Sequence, residues 1–260
     1  MPNADVKRHA LFAIAYMGGN TPIVPQLLDA ALSVDIGTDQ TLADALTDAF
    51  GPYGVPLSIL NEETTIVLLA KFLPFEDFDV RQGAIPRFLS RLTTIFPDQV
   101  LEFLIQRIQI EESWRRAHEW HYRALGIDHH AISFISSPNE RKPAMLRRCL
   151  SVRMDLQHSA DTLAKLFWDI DAVGEYSFQS IIEVLENADA EQAAKVADVV
   201  RHARRPDEYI YGELRRFSSG LPEGSRAKTI IDRWSDLAEE RRRNAPASPN
   251  FEPFSDWPEE

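Results

Sequence analysis

NEETTIVLLAKFLPFEDFDVRQGAIPRFLSRLTTI, residues 61–95, contains two apolar runs whose periodicity decides the fold. In the second run Ile85, Phe88, Leu89, Leu92, Ile95 and Phe96 recur at helical intervals, which gathers them on one face of a helix. The first run, Thr65-Ile-Val-Leu-Leu69, has the β-branched content of a strand. It follows Asn61-Glu-Glu, however, a cap followed by first-turn acids, and this setting predicts a buried helix. The Pro- and acid-containing stretch Pro74–Asp79 separates the two as a turn.

The same spacing extends in both directions. Val24, Leu27, Leu28, Ala31 and Leu32 fit it, as do Leu42, Ala45, Leu46, Ala49 and Phe50. Further on, Leu163, Leu166, Phe167 and Ile170 repeat it, then Phe178, Ile181, Ile182 and Leu185, and finally Ala227, Ile230, Ile231, Trp234, Leu237 and Ala238. Punctuation agrees with periodicity. Gly18-Gly19 suits a helix stop, with Asn20 or Thr21 capping the next helix before Pro22. Asp39, Asn61, Pro97-Asp98, Asn139, Ser159, Asp189 and Asp207 each precede a periodic run, as helix caps or first-turn acids do. Helices are therefore predicted to start near residues 5, 21, 39, 61, 80, 97, 139, 159, 175, 189, 207 and 222. Pairs of them recur at the period of helical repeats, in which each pair buries its apolar face only against its neighbours. Residues 112–138 break the rhythm. The fold class this predicts is all-α, a solenoid of about six stacked antiparallel helix pairs spanning 1–244, with an irregular connection near 112–138 and a tail at 245–260. Two expectations stand for that tail: disorder, or packing of Phe251, Phe254 and Trp257 back on the body.

One unit carries a family resemblance. The pattern D-V-R-x-x-A at Asp79, Val80, Arg81 and Ala84, following an apolar helix and a short acidic turn, resembles the second helix of a HEAT repeat. That resemblance implies a HEAT-like stack in which Asp79 and Arg81 brace adjacent repeats. Phe96-Pro-Asp-Gln-Val-Leu-Glu-Phe-Leu104 and Gly220-Leu-Pro-Glu-Gly-Ser225 are similar to segments in the C-terminal repeat regions of bacterial STAND-type (NLR-like) ATPases. This implies a sensor or scaffold in bacterial defence or signalling. The sequence has no Gly-x-x-x-x-Gly-Lys phosphate loop, so the chain is not itself the ATPase. The Trp, Leu-Gly and Tyr signature of tetratricopeptide repeats is also missing.

Composition narrows the function classes. With 44% hydrophobic and 26% charged residues the chain is of ordinary globular type. Its formal charge of −12 opposes a phosphate-binding role, because duplex binding works by replacing counterions with Lys and Arg. Arginine pairs at 115–116, 147–148, 204–205 and 215–216, with the run 241–243, still permit a local basic stripe. Several of these suit the last turn of a helix, where a cation is favoured by the dipole. The one cysteine, Cys149, excludes an internal disulfide and a Cys-based zinc framework, and its setting between Leu146 and Leu150 reads as core. The apolar run Ala10–Met17 is too short to span a bilayer and no cleavage site follows it, so a cytoplasmic, non-membrane protein is expected.

Two clusters invite chemistry. HEWHYRALGIDHH, residues 118–130, gathers His118, His121, His129 and His130, and three imidazoles plus water would make a catalytic zinc site. The spacing is H-E-x-H, however, which does not set two imidazoles one turn apart with the glutamate between them. Trp114, Trp120 and Tyr122 fit better with an aromatic cover laid across the repeats. The carboxylates Asp169, Asp171 and Glu175 are candidates for an acid/base pair, but they fall at a helix end, where solvated acids are ordinary. No G-x-S-x-G elbow, Ser-x-x-Lys unit or Gly-rich dinucleotide turn is present.

The favoured reading is a non-catalytic module without a cofactor that binds a protein partner. Trp114, Arg115, Arg116, Trp120, Tyr122, Arg147, Arg148, Arg204 and Arg205 are its candidate contact residues. One alternative is a zinc-dependent hydrolase using the four histidines. The other is a HEAT-like nucleic-acid binder using the arginine pairs.

Overall fold

The computed structural model describes residues 3–17, 22–78, 83–119, 121–125, 132–171, 174–203 and 207–244. Among them are twelve α-helices and no strand. The first six are α1 (Ala4–Met17), α2 (Val24–Ser33), α3 (Gln40–Ala49), α4 (Glu62–Ala70), α5 (Ala84–Leu92) and α6 (Pro97–Arg116). The second six are α7 (Lys142–Ser151), α8 (Gln157–Asp171), α9 (Glu175–Asn187), α10 (Ala190–Arg201), α11 (Asp207–Ser218) and α12 (Arg226–Asn244). A 3₁₀ turn, Leu57–Ile59, leads into α4.

Local chemistry sets the boundaries. The Asp39 carboxylate accepts the Thr41 and Leu42 amides at the start of α3, and Asp189 accepts the Gln192 amide at the start of α10. Asn61 and Thr64 form a reciprocal capping box, so Thr65–Leu69 enters a helix despite its β-branched residues. Two expected caps are placed differently. Ser159 lies inside α8 and is buried, and α7 begins three residues after Asn139, behind Arg141. Gly83, with φ 59°, supplies the left-handed turn before α5. Asp79, Val80 and Arg81 lie outside the described residues, as do Gly18–Thr21 and the tail 245–260.

Most positions of the predicted apolar stripes face inward, but Ile95 and Leu237 are exposed. On α5, Ile85, Phe88, Leu89 and Leu92 are buried, and the Phe88 ring packs 5.7 Å from that of Phe50 and 6.1 Å from that of Phe72. Each such fully buried side chain stabilises the fold by about 1.5–3 kcal/mol. Buried apolar residues from Leu11 to Ile231 belong to one continuous cluster.

Helix contacts follow an alternating order. α1 packs on α3 and α3 on α5; α2 packs on α4, then α4 on α6, α6 on α8 and α8 on α10. Beyond the connection, α7 packs on α9, and α9 on α11 and α12. Between α5 and α7 the segment 132–137 intervenes. The Thr93 hydroxyl donates to the Ser133 carbonyl at 2.9 Å, the Ser133 amide to Ser90 Oγ at 2.9 Å, and the Ser137 hydroxyl to the Thr93 carbonyl at 3.1 Å. Among the described residues no helix is long and apolar enough to cross a membrane.

Candidate functional site

The irregular connection is organised from the C-terminal half of α6. Val100, Leu104, Arg107, Ile108 and Glu111 share its buried face, so two charged residues occupy positions where the register calls for core. Arg107 is fully buried. Its Nε donates to the Ala124 carbonyl at 2.7 Å and its Nη2 to the Arg123 carbonyl at 2.9 Å. Nη1 reaches the carbonyls of Phe72 at 3.1 Å and Phe75 at 2.8 Å, with a longer contact to Leu73 at 3.4 Å. The guanidinium lies 4.0 Å from the Phe78 ring centre and 4.8 Å from that of Tyr122, so aromatic faces replace part of its lost hydration. Burial pushes its pKa down to about 10, and it remains a cation at neutral pH. One side chain thus ties residues 72–75 to residues 123–124.

Two buried glutamates extend the clamp. Glu111 Oε1 accepts from Arg115 at 2.7 Å and faces His158 Nε2 at 2.9 Å, while Oε2 accepts the Ala124 amide at 3.1 Å. Glu112 accepts from Arg116 at 2.6 Å and from the Asp155 amide at 3.2 Å, which fixes the entry to α8. Buried carboxylates persist only when paired in this way.

The residues expected to form a site are distributed as follows. His118 is exposed, has φ 62° and ends α6. The Glu119 amide behind it donates to the Trp114 carbonyl, the wrap-around bond of a Schellman-type stop. His121 turns its Nε2 toward Glu76 at 3.5 Å and meets the half-buried Trp114 ring edge-on at 4.7 Å. Tyr122 is buried and donates its hydroxyl to the Leu73 carbonyl at 3.0 Å; burial raises its pKa. Trp120, His129, His130, Arg204 and Arg205 lie outside the described residues. Among the described residues no group of three or more His, Cys, Asp or Glu is arranged to hold a metal.

Arg147 and Arg148 stand exposed on α7. Arg147 pairs with Glu183 of α9 at 2.6 Å, and Arg148 grips Glu102 of α6 through both Nε and Nη2. Arg215 spans α11 and α12 to Asp232 and Asp236, and Arg216 pairs with Glu213 in its own helix. Cys149 is buried in the core, and burial pushes its thiol up to about 12. Asp171 accepts the Ser177 amide at 2.9 Å and so caps α9.

Sequence reasoning did not single out Arg107, Glu111 or Glu112. The available signal was their register, charged residues in line with Val100 and Leu104 on an otherwise apolar stripe. No known protein family, curated protein or solved structure matches the chain.

Proposed function

We propose that this chain is a HEAT-like stack of helix pairs that binds a protein partner without catalysis, as a sensor or scaffold working in the cytoplasm. The observation that carries the reading is the order of helix contacts. Many helices pack on their next-but-one neighbours, in the series α2–α4–α6–α8–α10 and in the series α1–α3–α5 and α7–α9–α11. Two rows of helices in that order give the long face through which repeat proteins act. The buried clamp on Arg107 directs its donors to backbone carbonyls, a structural use of the cation.

The contact surface centres on Arg147 and Arg148, with Trp114, Arg115 and Arg116 beside the connection; Tyr122 supports it from inside. The exposed ion pairs of Arg147 and Arg148 hold little energy themselves. A partner's carboxylates can therefore displace Glu183 and Glu102 at small cost. The test is affinity capture of the tagged chain from nuclease-treated native lysate, followed by reconstitution with the purified captured protein. A stoichiometric protein lost on Arg147→Glu with Arg148→Glu supports the reading. Capture that vanishes with nuclease, or no stoichiometric protein, overturns it.

A further inference from the structure

Charge is unevenly shared along the chain. Residues 22–78 hold nine Asp or Glu against one basic residue, Lys71, a formal charge of −8 within a total of −12. That one cation is already engaged. Lys71 Nζ donates to the Val34 carbonyl at 2.8 Å, which ties the C-terminal ends of α2 and α4 together. α2 has no basic residue, and its Asp29 is exposed. The same region exposes an apolar helix face. On α4, Thr65, Leu68 and Leu69 are buried on one side, while Glu62, Glu63, Ile66, Val67 and Ala70 are exposed on the other. Ile66 is 57% exposed and Val67 48%, and Ile59 on the 3₁₀ turn before the helix is 37% exposed. A β-branched residue is a weaker helix former than Ala, Lys or Glu, so folding gains nothing from Ile or Val at an exposed helix position. A helix apolar on both sides is suited to being covered on both. Adjacent exposed apolar residues rimmed by polar ones mark an interaction site.

We propose that the outer face of α4 docks an amphipathic helix of a partner protein whose apolar stripe is flanked by Lys or Arg. Charge complementarity selects this occupant. The partner's apolar stripe covers Ile66 and Val67, and its cations meet Glu62 and Glu63 one turn away, within the negative field of residues 22–78. An acidic segment or a phosphate backbone would be repelled by the same carboxylates. The exposed side chains of α4 occupy successive turns of one helix, the kind of ridge against which a second helix packs. This surface is separate from Arg147 and Arg148 on α7, and it takes a partner of the opposite charge to the one that they attract.

The experiment is fluorescence anisotropy of the full chain with a labelled peptide of about 14 leucines and lysines set at helical spacing, a length able to hold a helix. At physiological salt the wild type should bind it at least about tenfold more tightly than a peptide of the same composition with the spacing scrambled. Ile66→Ser with Val67→Ser, and Glu62→Gln with Glu63→Gln, should each weaken binding at least about fivefold with unchanged circular dichroism. Glu223→Gln with Glu240→Gln removes the same charge at and before α12, and should change binding by less than about twofold. Should a face variant misfold, amide hydrogen exchange of the wild type with saturating peptide decides, and protection over residues 59–70 is expected. No binding by the wild type, equal affinity for the scrambled peptide, or binding that survives either face variant overturns the proposal. So does an equal loss in the α12 control, or protection that leaves residues 59–70 unchanged.

Discussion

Replacing Arg107 by Met keeps the length and apolar stem of the side chain and removes its five carbonyl contacts. Four of those contacts are 3.1 Å or shorter, and a buried carbonyl stripped of its partner costs about 1–3 kcal/mol. Paid in full, that sum would exceed the stability of many domains. Residues 72–78 and 121–125 have an alternative, however: they can open to water. Opening gives up the burial of Phe78 and Tyr122, about 2 kcal/mol each, together with the Tyr122–Leu73 bond. The cheaper route sets the net loss at about 3–5 kcal/mol, the range for breaking a buried charged contact. In thermal unfolding this lowers the midpoint by about 8–15 °C for a chain of this size. The mechanism also leaves a local mark, new protease cleavage within 121–125 at temperatures where circular dichroism is still native. Arg107→Lys should fall between, because one ammonium cannot reach both the 72–75 and the 123–124 carbonyls. A midpoint shift under about 2 °C in Arg107→Met, with no new cleavage, would refute the clamp.

Three further outcomes follow from other contacts. Gly54→Ala places a Cβ 2.0 Å from the Ala49 carbonyl oxygen, so the 51–55 turn must move, at a cost of about 1–3 kcal/mol in urea unfolding. The Cys149 thiol is raised from 9.0 to about 12 by burial, so the folded state holds its proton where the unfolded chain has lost it. Its stabilising contribution is therefore complete below pH 9 and declines as pH rises toward 12, and native protein at pH 8 should resist a thiol reagent until unfolded. Arg148→Ala breaks an exposed pair with Glu102 and should change stability by less than about 1 kcal/mol, so any loss of partner binding in that variant is not a folding defect.

The helices were legible in the sequence because caps and stripes act locally: Asp39, Asn61 and Asp189 do at their helix starts what their side chains predict. Ser159 misled because a hydroxyl before an apolar run reads as a cap even when the helix began earlier and buries it. The connection was legible only as an interruption. His118 has its effect through a backbone dihedral, and the partners of Arg107 lie 16 to 35 residues away. Nothing in periodicity encodes which carbonyls a buried cation will meet. Likewise the arginine pairs were visible as doublets, but their engagement by Glu102 and Glu183 depends on how α6, α7 and α9 lie together.

The claim on which the functional reading rests is that the helices form an extended two-row stack, and small-angle X-ray scattering at dilutions where the chain is monomeric tests it. A compact globule of this length has a radius of gyration of about 18 Å. The stack predicts a value well above that, with a pair-distance distribution skewed to long distances. A radius near 18 Å with a symmetric distribution would contradict it.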